Sequence, residues 1–327
     1  MRETKEQGLP VLAIDLGGTK IRTAIISNKG QIIAKDYSLT LAYEGLEAVT
    51  GRILSDVDCL LSLRNLDSSQ LHSISIAAAG AIDFEKGLIT SSPNLPGWHN
   101  VPLREIVKDK YRVDTFLIND ASAAALGEHE FGAGRGVDNL ILLTVGTGIG
   151  GGIIIDGKLY CGSSGSAGEI GHMTIDVNGQ RCNCGNTGCL ETLASGTAMA
   201  REAIKRIKQG ERSSLTEIVE GEIESITAEK VSVAAQGGDS LASEVIFKAA
   251  TYLGVGMVNL VNIFNPEMII VGGGVAKMGD LLLDPARQVV KERAFELSAQ
   301  AVRIVPAQLG DDSGLLGAAA FAFQQKN

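Results

Sequence analysis

The sequence predicts an α/β protein of two lobes on duplicated mixed sheets with a cleft between them, and three observations carry that reading. Val11-Leu12-Ala13-Ile14-Asp15-Leu16-Gly17-Gly18-Thr19-Lys20 is an apolar strand running straight into a glycine turn. Leu142-Leu143-Thr144-Val145-Gly146-Thr147-Gly148-Ile149-Gly150-Gly151-Gly152 repeats the plan: strand, glycine turn with a threonine, strand. The chain has 327 residues, 45% of them hydrophobic and only 20% charged, so it can bury a large core and exceeds the usual size of one domain.

The first half reads as strands at 10–16, 21–27 and 31–38, with Gly30 turning the second hairpin, then a helix near 44–63 and strands at 72–78 and 114–118. The second half begins alike, with strands near 139–145, 151–155 and 158–160. It continues with helices near 195–208 and 241–263 and strands at 268–271 and 302–305. That parallel points to an ancient duplication. Asp120–Glu128 and Gly314–Ala320 read as helices of small residues, whose axes can approach closely and slide, as a joint between lobes requires. The expected division is a small lobe at 1–119, completed by a C-terminal helix at about 313–327, and a large lobe at 120–312. Only the first eight residues read as disordered.

Net charge is −9 with a pI near 5.1, and no Lys/Arg cluster pairs with aromatics, which argues against a nucleic-acid surface. Met1-Arg2-Glu3-Thr4-Lys5-Glu6 is polar and leads into no secretory core, and no run reaches the roughly 18 apolar residues of a membrane span. A cytoplasmic protein is expected, with neither membrane nor nucleic-acid partners.

Both glycine turns suit phosphate. Bare backbone can approach an anion where a side chain would block it, and Gly17, Gly18, Thr19 and Lys20, like Gly146, Thr147 and Gly148, combine that freedom with hydroxyls or charge. Gly146-x-Gly148-x-x-Gly151 is not a dinucleotide fingerprint, because a second strand follows instead of a helix. A third cluster, Gly272-Gly273-Gly274, follows a strand and precedes a helix, which would suit a nucleoside lying against backbone. Asn119-Asp120 ends a strand and starts a helix at the expected lobe boundary. A carboxylate there can take a hydroxyl proton as the oxygen attacks phosphorus.

Five cysteines are present, and Cys182, Cys184 and Cys189 crowd together a few residues after His172. One nitrogen and three sulfurs make a complete tetrahedral zinc set, with no position left for water, so the zinc is expected to be structural. It would pin a loop carrying Glu169 and Glu191, two carboxylates able to accept hydrogen bonds from sugar hydroxyls. Cys59 and Cys161 read as packing residues. Asn94, between Pro93 and Pro96, could bond a sugar hydroxyl, while Trp98 suits either a pocket wall or a core anchor.

Together these residues resemble the ROK family of bacterial sugar kinases, within the actin, Hsp70 and hexokinase superfamily, from Val11 to about Ala320. The most specific part is Gly168-Glu169-Ile170-Gly171-His172 with Cys182-x-Cys184-Gly185-x-x-Gly188-Cys189-x-Glu191. The resemblance implies a two-lobed actin/hexokinase-like (ribonuclease H-like) fold, Asp120 as catalytic base, and Asn94, Asn119, Glu169, His172 and Glu191 on the sugar. It also implies zinc on His172, Cys182, Cys184 and Cys189. The implied reaction moves the ATP γ-phosphoryl group to the 6-hydroxyl of glucose, or to another hexose such as N-acetylmannosamine, N-acetylglucosamine, fructose or mannose. Mg²⁺ would neutralise the phosphates, held by Asp15 through water. A homo-oligomer, dimer or tetramer, is expected. Repressors of the same family carry an added N-terminal helix-turn-helix, whereas this chain enters its first strand by residue 11 and keeps Asp120, so a DNA role is not expected. The chain has Ala79 where the family usually has a proline before the glycine matched by Gly80, which bears on one sugar-facing turn.

Overall fold

The computed structural model describes residues 8–325. The expectation of disorder over the first eight residues therefore lies, except for Gly8, outside the described residues, as do the last two positions of the expected C-terminal helix. The strands are β1 (Val11–Leu16), β2 (Lys20–Ile26), β3 (Ile32–Leu39), β4 (Ser73–Ala78), β5 (Ala81–Asp83), β6 (Leu88–Ser91), β7 (His99–Val101), β8 (Thr115–Asn119), β9 (Leu140–Val145), β10 (Ile149–Ile155), β11 (Lys158–Leu159), β12 (Met268–Gly272) and β13 (Arg303–Pro306). The helices are α1 (Leu46–Leu63), α2 (Leu103–Tyr111), α3 (Asp120–Phe131), α4 (Leu190–Ala194), α5 (Gly196–Lys208), α6 (Leu215–Ile218), α7 (Ala228–Gln236), α8 (Ser240–Phe264), α9 (Asp280–Arg293), α10 (Glu296–Ala301) and α11 (Ser313–Gln324).

The first sheet has the order β3-β2-β1-β4-β8, and the second, β11-β10-β9-β12-β13, has the same plan. In the first, β1 and β2 pair antiparallel with Asp15 opposite Arg22, while β4 runs parallel to β1 and β8 parallel to β4. In the second, β12 runs parallel to both β9 and β13. The expected duplication is therefore visible strand by strand. A small antiparallel sheet, β5-β6-β7, is an addition that the sequence reading did not place.

Among the described residues two compact units emerge: one of residues 8–136, 152–168 and 308–325, the other of 137–151 and 169–307. The expected division at 119/120 differs from this, because α3 stays with the first unit. The reason is packing: a Cβ on Gly127 or Gly317 would collide with backbone of the facing helix, so α3 and α11 lie against each other almost backbone to backbone. Both small-residue helices thus belong to one unit.

In the first unit, Leu12, Ile14, Leu16, Ile21 and Ile25 join Ile74, Ile76, Trp98 and the inner face of α1 in one core. Each fully buried large aliphatic contributes about 1.5–3 kcal/mol, so β1 carries Asp15 on a firmly held strand. Trp98 is a core anchor, 1% exposed, and not a pocket wall. In the second unit, α8 is the one described helix long and apolar enough to cross a membrane, yet Leu253, Met257, Leu260 and Val261 on it are buried among protein, as in a core helix. Cys59 departs from expectation. It lies exposed on α1, whereas Cys161 is half-buried.

Candidate active site

In the first unit, the turn after β1 is closed by the Gly17 N–H donating to the Lys20 carbonyl at 3.0 Å. Thr40 braces it, its hydroxyl donating to the Gly17 carbonyl at 2.7 Å. Thr19 is exposed at the tip, and the Lys20 ammonium sits 5.1 Å from the centre of the Tyr37 ring. Asn94 packs directly on this turn, since a Cβ on Gly18 would lie 2.9 Å from the Asn94 Cβ. The predicted sugar-binding asparagine and the predicted phosphate turn are therefore neighbours.

Asp15 meets Arg22 across the β1–β2 register, Nη1 to Oδ2 at 3.2 Å. Burial pushes the Asp15 carboxyl up to about 6, against the pull of Arg22, with the Asp120 and Asp311 charges adding to the rise. Arg22 is a residue the sequence reading passed over.

Asn119 is the N-cap of α3, its Oδ1 accepting the Ala121 and Ser122 amides at 3.0 and 3.1 Å. Its Nδ2 donates to the Gly80 carbonyl at 3.1 Å, which ties the Gly80 turn to the start of the helix without the usual proline. Asp120 follows as the first helical residue, half-buried, accepting the Ala121 N–H at 2.9 Å. Burial raises its carboxyl above the ordinary range, while the neighbouring Ala121 N–H opposes the rise. A carboxylate so placed is a stronger base than one in water.

In the second unit, the Gly146 N–H donates to the Gly148 carbonyl at 2.9 Å, closing the second glycine turn, with Thr147 exposed at its tip. The start of α5 is fastened to it: the Gly196 N–H donates to the Gly146 carbonyl at 2.7 Å and the Thr197 hydroxyl to the Thr147 carbonyl at 2.8 Å. A cleft of about 670 Å³ runs along α5, lined by Thr197, Arg201, Ile204, Lys208 and Ile226, a size within the range of small-ligand sites. Sequence reasoning missed it, because its walls come from a helix and a loop with no motif. Gly272 ends β12, and Gly273, at φ +86°, crosses the Val145 carbonyl where no side chain fits. A short 3-10 turn, Val275–Met278, follows Gly274 before α9, so the helix expected after the glycines starts one turn late.

His172, Cys182, Cys184 and Cys189 come together, their ligand atoms all within 4.8 Å of one another. His172 Nδ1 lies 3.6 Å from Cys182 Sγ, and the Cys184 and Cys189 sulfurs are 3.7 Å apart. Tetrahedral zinc with Zn–S bonds of about 2.3 Å would hold sulfurs near 3.8 Å apart, so the donor set fits that ion. Burial pushes the Cys189 thiol up to about 12, with the hydrogen bonds its S–H makes toward Cys184 and Cys182 adding to the rise. Crowded thiols resist ionising together unless a cation joins them. The other ring nitrogen of His172, Nε2, lies 3.9 Å from Glu169 Oε2. Glu191 Oε1 stands 3.9 Å from Cys182 Sγ, and its Oε2 accepts the Ile149 N–H at 2.9 Å. Each unit thus assembles its own share of the predicted residues: Asp15, Asn94, Asn119 and Asp120 in one, the second glycine turn, Gly272–Gly274, Glu169, Glu191 and the cysteine cluster in the other.

Comparison with known proteins places the chain among its relatives. The family model described as ROK family matches residues 11–325. A glucokinase of Halalkalibacterium halodurans is 38% identical over 317 residues, which span 97% of this chain and 96% of that protein. A xylose repressor of Caldicellulosiruptor bescii is 36% identical over 94% of this chain and 76% of its own length. The crystal structure of a ROK family glucokinase from Streptomyces griseus in complex with glucose and AMPPNP superposes with a TM-score of 0.84 at 34% identity, covering 96% of this chain and 99% of that one. Two sheets of the same plan, with the actin/hexokinase-like strand order, are thus matched over nearly the whole sequence, and the chain belongs to the ROK family.

Proposed function

We propose that this protein is a glucokinase, transferring the γ-phosphoryl group of ATP to the 6-hydroxyl of glucose. The observation that carries the reading is Asp120: a carboxylate made more basic by burial, at the start of α3, next to Asn119, which bonds the Gly80 turn, and close enough to Asp15 for the two charges to interact. It takes the proton of the attacking hydroxyl as oxygen bonds to phosphorus and the bond to ADP breaks. The full-length similarity to a glucokinase that binds glucose and AMPPNP supports both acceptor and donor.

Asn94, Asn119, Glu169, His172 and Glu191 are the proposed sugar contacts. Gly17, Gly18, Thr19 and Lys20, with Gly146, Thr147 and Gly148, hold phosphate oxygens, and Gly272, Gly273 and Gly274 lie under the nucleoside. The cleft along α5 supports that assignment, because Thr197 links it to the second glycine turn. Mg²⁺ supplies charge neutralisation on the phosphates when bound, and Asp15 is the carboxylate that would hold it through water. Zinc on His172, Cys182, Cys184 and Cys189 fastens the segment that carries Glu169 and Glu191. We further propose a cytoplasmic homo-oligomer.

The deciding experiment is a coupled ADP-release assay over glucose, mannose, fructose and the N-acetyl hexosamines, with ATP and polyphosphate as donors. Glucose with ATP should give the highest kcat/KM. Sugar binding without turnover would instead favour a regulator, as in the xylose-repressor relative, and preference for another hexose would reassign the acceptor.

A further inference from the structure

Glu128 is the only acidic or basic side chain among the described residues that falls in the buried class, at 0% exposure, and the mechanism above does not use it. A carboxylate withdrawn from water is costly unless donors fill its oxygens. Main-chain amides do so here. Oε2 accepts the Ala133 N–H at 2.9 Å, Oε1 accepts Leu309 N–H at 2.8 Å, and the Gln308 N–H is shared between them at 3.0 and 3.1 Å. Room for the carboxylate exists only because residue 132 is glycine, since a Cβ there would collide with Oε2.

The positions of these amides give the interaction its meaning. The chain first leaves the first unit after Gly136 and returns to it for the last time at Gln308, so one carboxylate on α3 holds both the first departing and the final returning segment. The returning segment then passes the phosphate-side carboxylate. Asp311 lies 3.7 Å from Arg22, Asp312 pairs with Lys35 at 3.0 Å, and Gly314 packs on Asp15, where an added Cβ would lie 3.2 Å from the carboxyl carbon.

We infer that Glu128 is a positioning residue for phosphoryl transfer, fixing segment 308–314 on the helix that begins with Asp120 and, through that segment, the surroundings of Asp15. The inference rests on the reading of Asp15 as the carboxylate on the nucleotide side. Its reach is specific to a carboxylate. Glutamine has one acceptor oxygen and would turn an NH₂ toward an amide N–H, so either Ala133 or Leu309 loses its acceptor while the shared Gln308 N–H keeps one of its two.

The test uses the full chain as Glu128→Gln and Glu128→Asp, with hydrogen exchange by mass spectrometry and steady-state kinetics at varied MgATP and glucose. Glu128→Gln should speed exchange of the Leu309 or the Ala133 amide about tenfold and raise KM for MgATP about tenfold, the weight of one hydrogen bond to a charged acceptor. Glucose Kd should stay within about twofold, and Glu128→Asp, which keeps the charge with a shorter reach, should recover part of the KM effect. A fall in kcat alone, with KM for MgATP unmoved, would signal fewer folded molecules and overturn the inference. Asp15→Asn, run alongside, separates the two readings. If it leaves KM for MgATP unmoved, the Asp15 assignment falls and this inference with it; if it raises KM and Glu128→Gln does not, only the inference falls.

Discussion

The Glu191 carboxylate accepts the Ile149 N–H at 2.9 Å, so the cysteine-bearing segment is bolted to the second glycine turn. The turn is shaped for that bolt. A Cβ on Gly148 would collide with Glu191 Oε2, so glycine is required there by a neighbouring carboxylate as well as by any phosphate. The proposed sugar contacts and the proposed phosphate turn in this unit are therefore mechanically one piece.

Gly148→Ala should displace Glu191 and weaken both functions of that piece. A lost hydrogen bond to a charged acceptor costs about 1.5–3 kcal/mol, so kcat/KM should fall roughly 10- to 100-fold for glucose and for MgATP alike. Steady-state kinetics with each substrate varied checks this. A change confined to MgATP would mean that the alanine disturbs only phosphate and that the link to Glu191 is idle.

Asp120→Asn removes the proposed base while keeping shape and the N-terminal turn of α3. General-base removal costs about 10²–10⁴ in rate, so kcat should drop by that factor while glucose Kd, measured by calorimetry, changes less than about threefold. Turnover near wild type would reject the assignment of Asp120.

Purified protein should contain about one zinc per chain, and Cys189→Ser or a strong chelator should remove it, because the four donors form a closed set. Glucose binding should be lost with the metal, since Glu169 and Glu191 flank the cluster, and restored by zinc. Metal-free protein that binds glucose normally would show that the four side chains do not support the sugar site.

Gly317→Val tests the helix pair. The side chain has nowhere to go but into the Ala123 carbonyl, so α3 and α11 must part. Overpacking of this kind costs about 1–3 kcal/mol or more, and a melting point several degrees lower is expected. An unchanged melting point would mean that the close approach is not maintained in solution.

How far these features could be read from sequence depends on where their partners lie. The two strand-and-turn segments and the Cys182–Cys189 cluster are local patterns, and each forms as expected. The β5–β7 sheet escapes because strands of three or four residues, such as His99–Val101, are too short for alternation to show. Helix α2 buries Leu103, Val107 and Tyr111 on one face but spans nine residues and lacks a side-chain cap. The helix expected after Gly272–Gly274 does form as α9, with Pro285 inside it. Arg22 was within reach, because a tight turn at Gly17–Thr19 already sets residues 15 and 22 opposite each other. Glu128 was not, since its amide partners at Gln308 and Leu309 are 180 and 181 residues away and leave no trace in the local pattern.

Arg22 gives the last prediction, on pH. Burial holds the Asp15 carboxyl at about 6 even with the Arg22 guanidinium beside it, and burial raises Asp120 as well. Both groups act ionised in the proposed mechanism, so activity is lost as pH falls through these raised values and kcat/KM should decline below about pH 6. Arg22 lowers the Asp15 value, hence Arg22→Met should move the acid limb to higher pH. Stability follows the same proton with the opposite sense. Between the ordinary 3.8 and about 6 the folded state holds a proton on Asp15 that the unfolded chain has released, so this group's contribution weakens the fold as pH rises through that window, and more so without Arg22. Rate profiles and melting curves from pH 4.5 to 8 on both proteins measure the two effects together. An acid limb that stays in place in Arg22→Met would show that the 3.2 Å contact between Arg22 and Asp15 does not govern the carboxylate in the working enzyme.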